Sequence, residues 1–144
     1  MKAYILKGIA KGMISVDAEG RETIISQRPE KALAEECLMH GSSLSGREES
    51  FRYLTGSRQK AAVLVSEEPQ ELWFPTLSKK NKECIWISYF HVVKAFSAPF
   101  NQCEVLFDNG MRIALNCSSH TIGLQIKRCH MFLQKINGTA EKNT

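Results

Sequence analysis

At 144 residues the chain has the length of one domain, enough to bury a core without metals or disulfides. With 43% hydrophobic residues, 24% charged residues and a net charge of +4, it reads as an ordinary globular protein, neither disordered nor fibrous. No apolar run reaches the roughly 20 residues that a membrane-spanning helix requires.

The N-terminal stretch MKAYILKGIAKGM is interrupted by Lys7 and Lys11 and has no small-residue cleavage site after it, which argues against a signal peptide and for a cytoplasmic protein. The N-x-[ST] matches at Asn116 and Asn137 are then accidental. Tyr4–Leu6 and Met13–Val16 predict strands, the second turning through Asp17–Gly20 into Thr23–Ile25 as a hairpin. Pro29 suits the first turn of a helix running from Glu30 to about Met39 and stopped by Gly41. A second short helix is expected at Glu48–Leu54, with Gly56 as its stop.

Ala61–Val65 and Leu72–Phe74 predict strands, and Pro75 keeps Phe74 extended. The stretch Glu83–Phe96 is apolar without alternation, which predicts central strands buried on both faces, bent near His91. Cys103, Val105 and Phe107 alternate with polar residues, Asp108-Asn109-Gly110 turns, and Met111, Ile113 and Leu115 alternate back. The last helix is capped by Ser118 or Ser119 and has an apolar stripe of Ile122, Ile126, Cys129, Leu133 and Ile136. Leu124 and Met131 sit among Lys127, Arg128 and Lys135 on its other side, and Gly138 is expected to end it. The class is therefore α+β, mostly antiparallel sheet, with two short helices after the first hairpin and a C-terminal amphipathic helix. Residues 1–137 make one domain and 138–144 a flexible tail.

The scattered cysteines, Cys37, Cys84, Cys103, Cys117 and Cys129, show no C-x-x-C pair and no zinc-like spacing, and read as small buried hydrophobes in a reducing compartment. Basic residues cluster in three places: Arg47, Arg52, Arg58 and Lys60; Lys79, Lys80 and Lys82; and the acid-free stretch from Asn109 to Ala140. That pattern points to a polyanionic partner, set against a solvated surface with incidental excess charge.

The stretch HGSSLSGREES, His40–Ser50, has the glycine spacing of a nucleotide-binding loop, yet Arg47 and Glu48 stand where Lys and Ser or Thr are required, and a helix rather than a strand precedes it. Gly41-Ser42-Ser43-Leu44-Ser45 fails as a nucleophile elbow at its fifth position. His91, His120 and His130 are isolated and no paired carboxylates stand out, so no enzyme is predicted. A strand-rich scaffold that presents arginines from loops and helix ends favours DNA phosphates and the minor groove. In that reading Gly41, Ser42, Ser43 and Gly46 bring the backbone close to phosphates and Arg47 reaches into a groove. Arg52, Arg58, Lys60, Lys79, Lys80 and Lys82 supply further contacts.

Four segments in register, G-S-S-L-S-G-R (Gly41–Arg47, after Cys37), F-P-T-L-S (Phe74–Ser78), W-I-S followed by H-V (Trp86–Val92) and E-V-L-F-D-N-G (Glu104–Gly110), resemble the competence transcription factor (ComK) family over about Ile24–Asn116. The resemblance implies an activator of DNA-uptake genes that binds paired A·T-rich boxes in double-stranded DNA as a homo-oligomer, mainly through the minor groove. It implies a regulatory adaptor protein as a further partner, while the residues themselves call for no cofactor and no metal. Family members continue beyond the last helix with an extension tied to activation and adaptor-mediated degradation, so those two properties are the ones the short C-terminus puts in question. The alternative reading is a protein-interaction module whose Leu124, Lys127, Arg128 and Met131 hold an acidic partner. In the first reading the same four residues serve oligomerisation.

Overall fold

The computed structural model describes residues 2–142, with side chains to Gly138. Nine strands and three helices follow one another as β1 (Ala3–Ile9), β2 (Gly12–Asp17), β3 (Glu22–Ile25), α1 (Pro29–Met39), α2 (Leu44–Thr55), β4 (Val63–Glu67), β5 (Gln70–Pro75), β6 (Ile85–Ser88), β7 (Val92–Ala98), β8 (Gln102–Phe107), β9 (Arg112–Leu115) and α3 (Ser119–Lys142) among the described residues. Six strands form an antiparallel sheet in the order β3-β2-β1-β6-β5-β4, and β7-β8-β9 form a second antiparallel sheet. The expected α+β class, with its hairpins and its C-terminal helix, is what the chain adopts.

Both faces of the larger sheet are covered at β4, β5 and β6, which explains why β6 reads as apolar without alternation, while β3 at its edge is mostly exposed. Leu6, Met13, Val63, Val65, Trp73 and Trp86 face Ala32, Leu33 and Cys37 of α1. On the other face Ile5, Leu64, Leu72, Phe74 and Ile87 pack with Phe51 of α2, with Val105 and Phe107 of the smaller sheet, and with Ile122, Cys129, Phe132 and Leu133 of α3. Phe132 belongs to the α3 stripe that the spacing predicted but was not picked out in it, whereas Ile126 and Ile136 flank that stripe, partly buried.

Three expectations need correction. The run Glu83–Phe96 is not one buried segment: β6 is buried between β1 and β5, but a 3-10 turn at Tyr89–His91 bends the chain, and β7, at one side of the smaller sheet, is half-buried to exposed along its length. The bend near His91 is where it was expected. The second helix starts at Leu44 rather than Glu48, because Ser43 caps it, its side chain accepting the Gly46 N–H at 3.0 Å. Gly138 does not end α3, which continues to Lys142; glycine weakens a helix without forbidding it. Asn143 and Thr144, the last residues of the expected tail, lie outside the described residues.

Candidate nucleic-acid interface

The segment from Cys37 to Arg47 is a junction between two helices, and its composition follows from that. Gly41 sits at φ 78° just past α1; its N–H bonds to the Leu38 carbonyl and that of Ser42 to the Cys37 carbonyl, a Schellman ending. The Ser42 hydroxyl donates to the same Cys37 carbonyl at 3.1 Å. Ser43 caps α2, and a Cβ added at Gly46 would lie 2.9 Å from the Ser43 Oγ, so a glycine there keeps the cap in place. Both serine hydroxyls therefore have internal partners. Arg47 lies within the first turns of α2, its side chain only 15% exposed, with Nη2 donating to Glu67 at 3.1 Å. Its Nε is buried with no partner among the described residues.

The other predicted cations are brought together at one end of the larger sheet. Arg52 comes from the last turns of α2, Arg58 and Lys60 from the loop before β4, and Lys79 and Lys80 from the loop after β5. They line a hollow of about 390 Å³ with Glu48, Gln59, Ser78 and Trp86. Glu48 is buried and accepts from Lys79 Nζ at 2.9 and 3.0 Å, so that pair is neutral within the site. Arg52, Arg58, Lys60 and Lys80 have no carboxylate partner among the described residues. Lys82 lies outside this lining; its carbonyl is packed against Gly8. Trp86 Nε1 is buried without a partner among the described residues.

A second hollow, of about 330 Å³, adjoins the first and shares Arg58, Gln59 and Lys60 with it. Its far wall is α3: Thr121, Leu124 and Arg128. Leu124 and Arg128, read from the sequence as an oligomerisation or partner face, thus belong to the same surface as the predicted DNA-binding cations. Met131 continues the row one turn on, half-buried, and Lys127 is exposed beside it.

What holds this surface is a residue that sequence reading passed over. Gln125 is buried on the inner side of α3, and its Nε2 donates to the Lys60 carbonyl and to the Pro75 carbonyl, each at 2.9 Å. One amide side chain therefore ties α3, the Arg58–Lys60 loop and the end of β5 together. Lys60 itself is at φ 54°, so the loop makes a tight left-handed turn there. Nothing in the sequence marks Gln125 except that a polar residue interrupts an otherwise apolar helix face.

His91 is not isolated, contrary to the expectation. Its Nδ1 is 2.8 Å from Asp108 Oδ2, and its ring stacks on Tyr4 at 3.8 Å between centroids. The group joins β1 of the larger sheet to the smaller sheet. The hydrogen bond with His91 holds the Asp108 carboxyl below its ordinary range, helped by one with Tyr4. Cys37, Cys84, Cys103 and Cys129 are buried and all the thiols are free. Burial raises the pKa of each of them and of Cys117, that of Cys103 to about 11, so they are held protonated. Among the described residues no three His, Cys, Asp or Glu side chains gather as a metal site would need. No described helix is long and apolar enough to cross a membrane.

Comparison with known proteins bears on what this surface serves. The family model described as ComK protein matches residues 7–141. The competence transcription factor of Bacillus subtilis (strain 168) is 31% identical over 104 residues, which are 72% of this chain and 54% of that protein. The chain thus spans about half the length of the curated relative it matches. No solved structure matches. A family match over nearly the whole described chain and a relative at this identity lead to one conclusion: the chain belongs to the ComK family.

Proposed function

We propose that the protein is a sequence-selective DNA-binding regulator of transcription in competence, recognising A·T-rich boxes through the minor groove, with residues 1–137 as the DNA-binding unit. The observation that carries this reading is the convergence of Arg52, Arg58, Lys60, Lys80 and Arg128 on two adjoining hollows, with Glu48, the only carboxylate lining them among the described residues, neutralised by Lys79. Cations from helix ends and loops, rather than from one projecting helix, suit phosphate contacts and minor-groove entry. The minor groove offers chiefly an A·T against G·C distinction, and A-tracts narrow it and favour inserted arginine. Arg58, exposed and lining both hollows, is the arginine this reading assigns to that insertion. The Gly41–Gly46 junction keeps a supporting role at most, since its hydroxyls are engaged internally and Arg47 is paired with Glu67. Leu124, Lys127, Arg128 and Met131 serve assembly of neighbouring copies on paired boxes, next to the DNA rather than remote from it. A regulatory adaptor protein belongs to the same reading as a partner.

The test is binding to duplexes carrying two A·T-rich boxes and to G·C-rich duplexes of equal length, across a salt series. The expected result is a preference for the boxes, competition by minor-groove ligands, and a log–log salt slope of about −4 to −5, from five unpaired cations at about 0.9 each. Equal, weak binding to both duplexes overturns the reading. It favours instead an acidic protein partner in the second hollow, where Leu124 is exposed beside Arg128.

A further inference from the structure

The β7–β8 hairpin ends in a tip that the packing of the fold does not account for. Ala98 pairs with Gln102, and between them lie Pro99, Phe100 and Asn101. Phe100 and Asn101 both take left-handed backbone conformations, at φ 60° and 56°. Asn adopts that region at little cost, but a bulky aromatic residue there is strained, because its Cβ crowds the following carbonyl. Phe100 recovers nothing from the fold in return, being 94% exposed, the highest exposure among the exposed large hydrophobic residues described.

The tip is tied to the helix that walls the basic surface. Ser97 Oγ, near the end of β7, is 2.9 Å from Ser119 Oγ at the start of α3. Thr121, Leu124 and Arg128, on the first turns of that helix, form the wall of the second hollow opposite Arg58 and Lys60. By the rise of a strand Phe100 lies within about 10 Å of Ser97. By the rise of a helix Arg128 lies about 13 Å from Ser119.

We infer that Phe100 is an apolar wedge that inserts between base pairs from the minor groove while the cations beside α3 hold the flanking phosphates. The inference rests on the DNA-binding reading above. A DNA step fits the tip better than a second copy of the chain does. A stable protein interface takes roughly 800 Å² from each partner, and here one ring projects alone, with Ser97, Pro99, Asn101 and Gln102 around it rather than an apolar patch. Lower on the outer face of the same sheet, Lys94 and Arg112 stand 5.0 and 4.9 Å from the centre of the Phe96 ring, with Glu104 paired to Phe96 across the strands. An exposed planar ring with cations on the strands behind it matches a base step flanked by phosphates. Pyrimidine–purine steps such as TA unstack readily, so an A·T-rich box offers the cheapest insertion point.

The experiment treats an A·T-rich box with permanganate and reads the oxidation of each thymine, which rises when the base loses its stacking partner. The wild-type protein is expected to raise it at one step. Phe100→Ala is expected to abolish the rise and weaken binding about tenfold, without lowering the melting temperature. Phe100→Trp should keep both the rise and the affinity. Arg58→Ala should weaken binding yet keep the rise at saturating protein. Wild-type thymine reactivity and affinity in Phe100→Ala overturn the wedge and leave the DNA-binding reading standing. Tight wild-type binding with no rise at any step does the same. A Phe100→Ala protein that loses self-association and keeps the rise assigns the ring to a second copy instead. Failure of the wild-type protein to bind duplex DNA at all overturns the functional reading, and the wedge with it.

Discussion

Ser43 and Gly46 act as one unit. The Ser43 hydroxyl satisfies an N–H at the start of α2, and the absence of a side chain at Gly46 leaves room for it. Replacing Ser43 with Ala should cost about 1 kcal/mol of stability in a urea titration. Gly46→Ala would ordinarily gain up to about 1 kcal/mol inside a helix. Here it should gain little, because the new methyl displaces the capping hydroxyl. In a Ser43→Ala background the same change should become stabilising, and the coupling measured by this double-mutant cycle is the signature of the pair.

At the scale of elements, α3 does more than cover the core. Gln125, four residues before Cys129, carries the two hydrogen bonds that dock the Arg58–Lys60 loop and the end of β5 against the helix. Gln125→Leu leaves both carbonyls without that donor in a buried place, at an expected cost of about 2–3 kcal/mol. The variant should also lose affinity for A·T-rich duplexes although Gln125 points inward, since the loop that presents Arg58 is no longer held. Faster protease cleavage between residues 56 and 62, with the other elements still protected, locates the effect in that loop.

At the scale of the molecule, the contact between the two sheets and the summed charge each give a measurable dependence on solution conditions. Asp108 has a depressed pKa in the fold, so its ionised form is favoured there. The stability this contributes is fully present above its unfolded value of about 3.9, and is lost as pH falls through the lower folded value. Thermal melts of Asp108→Asn should therefore show a deficit against the wild type near neutral pH that narrows as pH drops below about 4. For the charge, Arg58→Ala should make the salt slope of DNA binding about one unit shallower. Arg47→Ala, which removes a cation already paired with Glu67, should leave the slope nearly unchanged.

How much of this was legible along the chain follows from the range of the interactions involved. The hairpin Cys103–Leu115, the ends of α1 and the amphipathic α3 rest on neighbours within a few residues, such as Gly41 in its left-handed turn, and periodicity shows them. The exact start of α2 escaped because Ser43 caps it from within a segment whose glycines mimic a phosphate loop. The burial of β7 was misjudged because a one-dimensional apolar run does not reveal which sheet a strand joins. Residue types and their order along the chain were enough for the antiparallel α+β class, the family resemblance and the basic character of the segments around Arg52, Lys60 and Lys79. Only the tertiary structure decided which cations meet. Hydrogen bonds spanning 65 and 50 positions, from Gln125 to Lys60 and Pro75, bring Arg128 beside Arg58, while an ion pair spanning 20 positions, with Glu67, draws Arg47 aside. A charge pattern fixes how much charge a segment carries, but where that charge points depends on which distant partners each side chain finds.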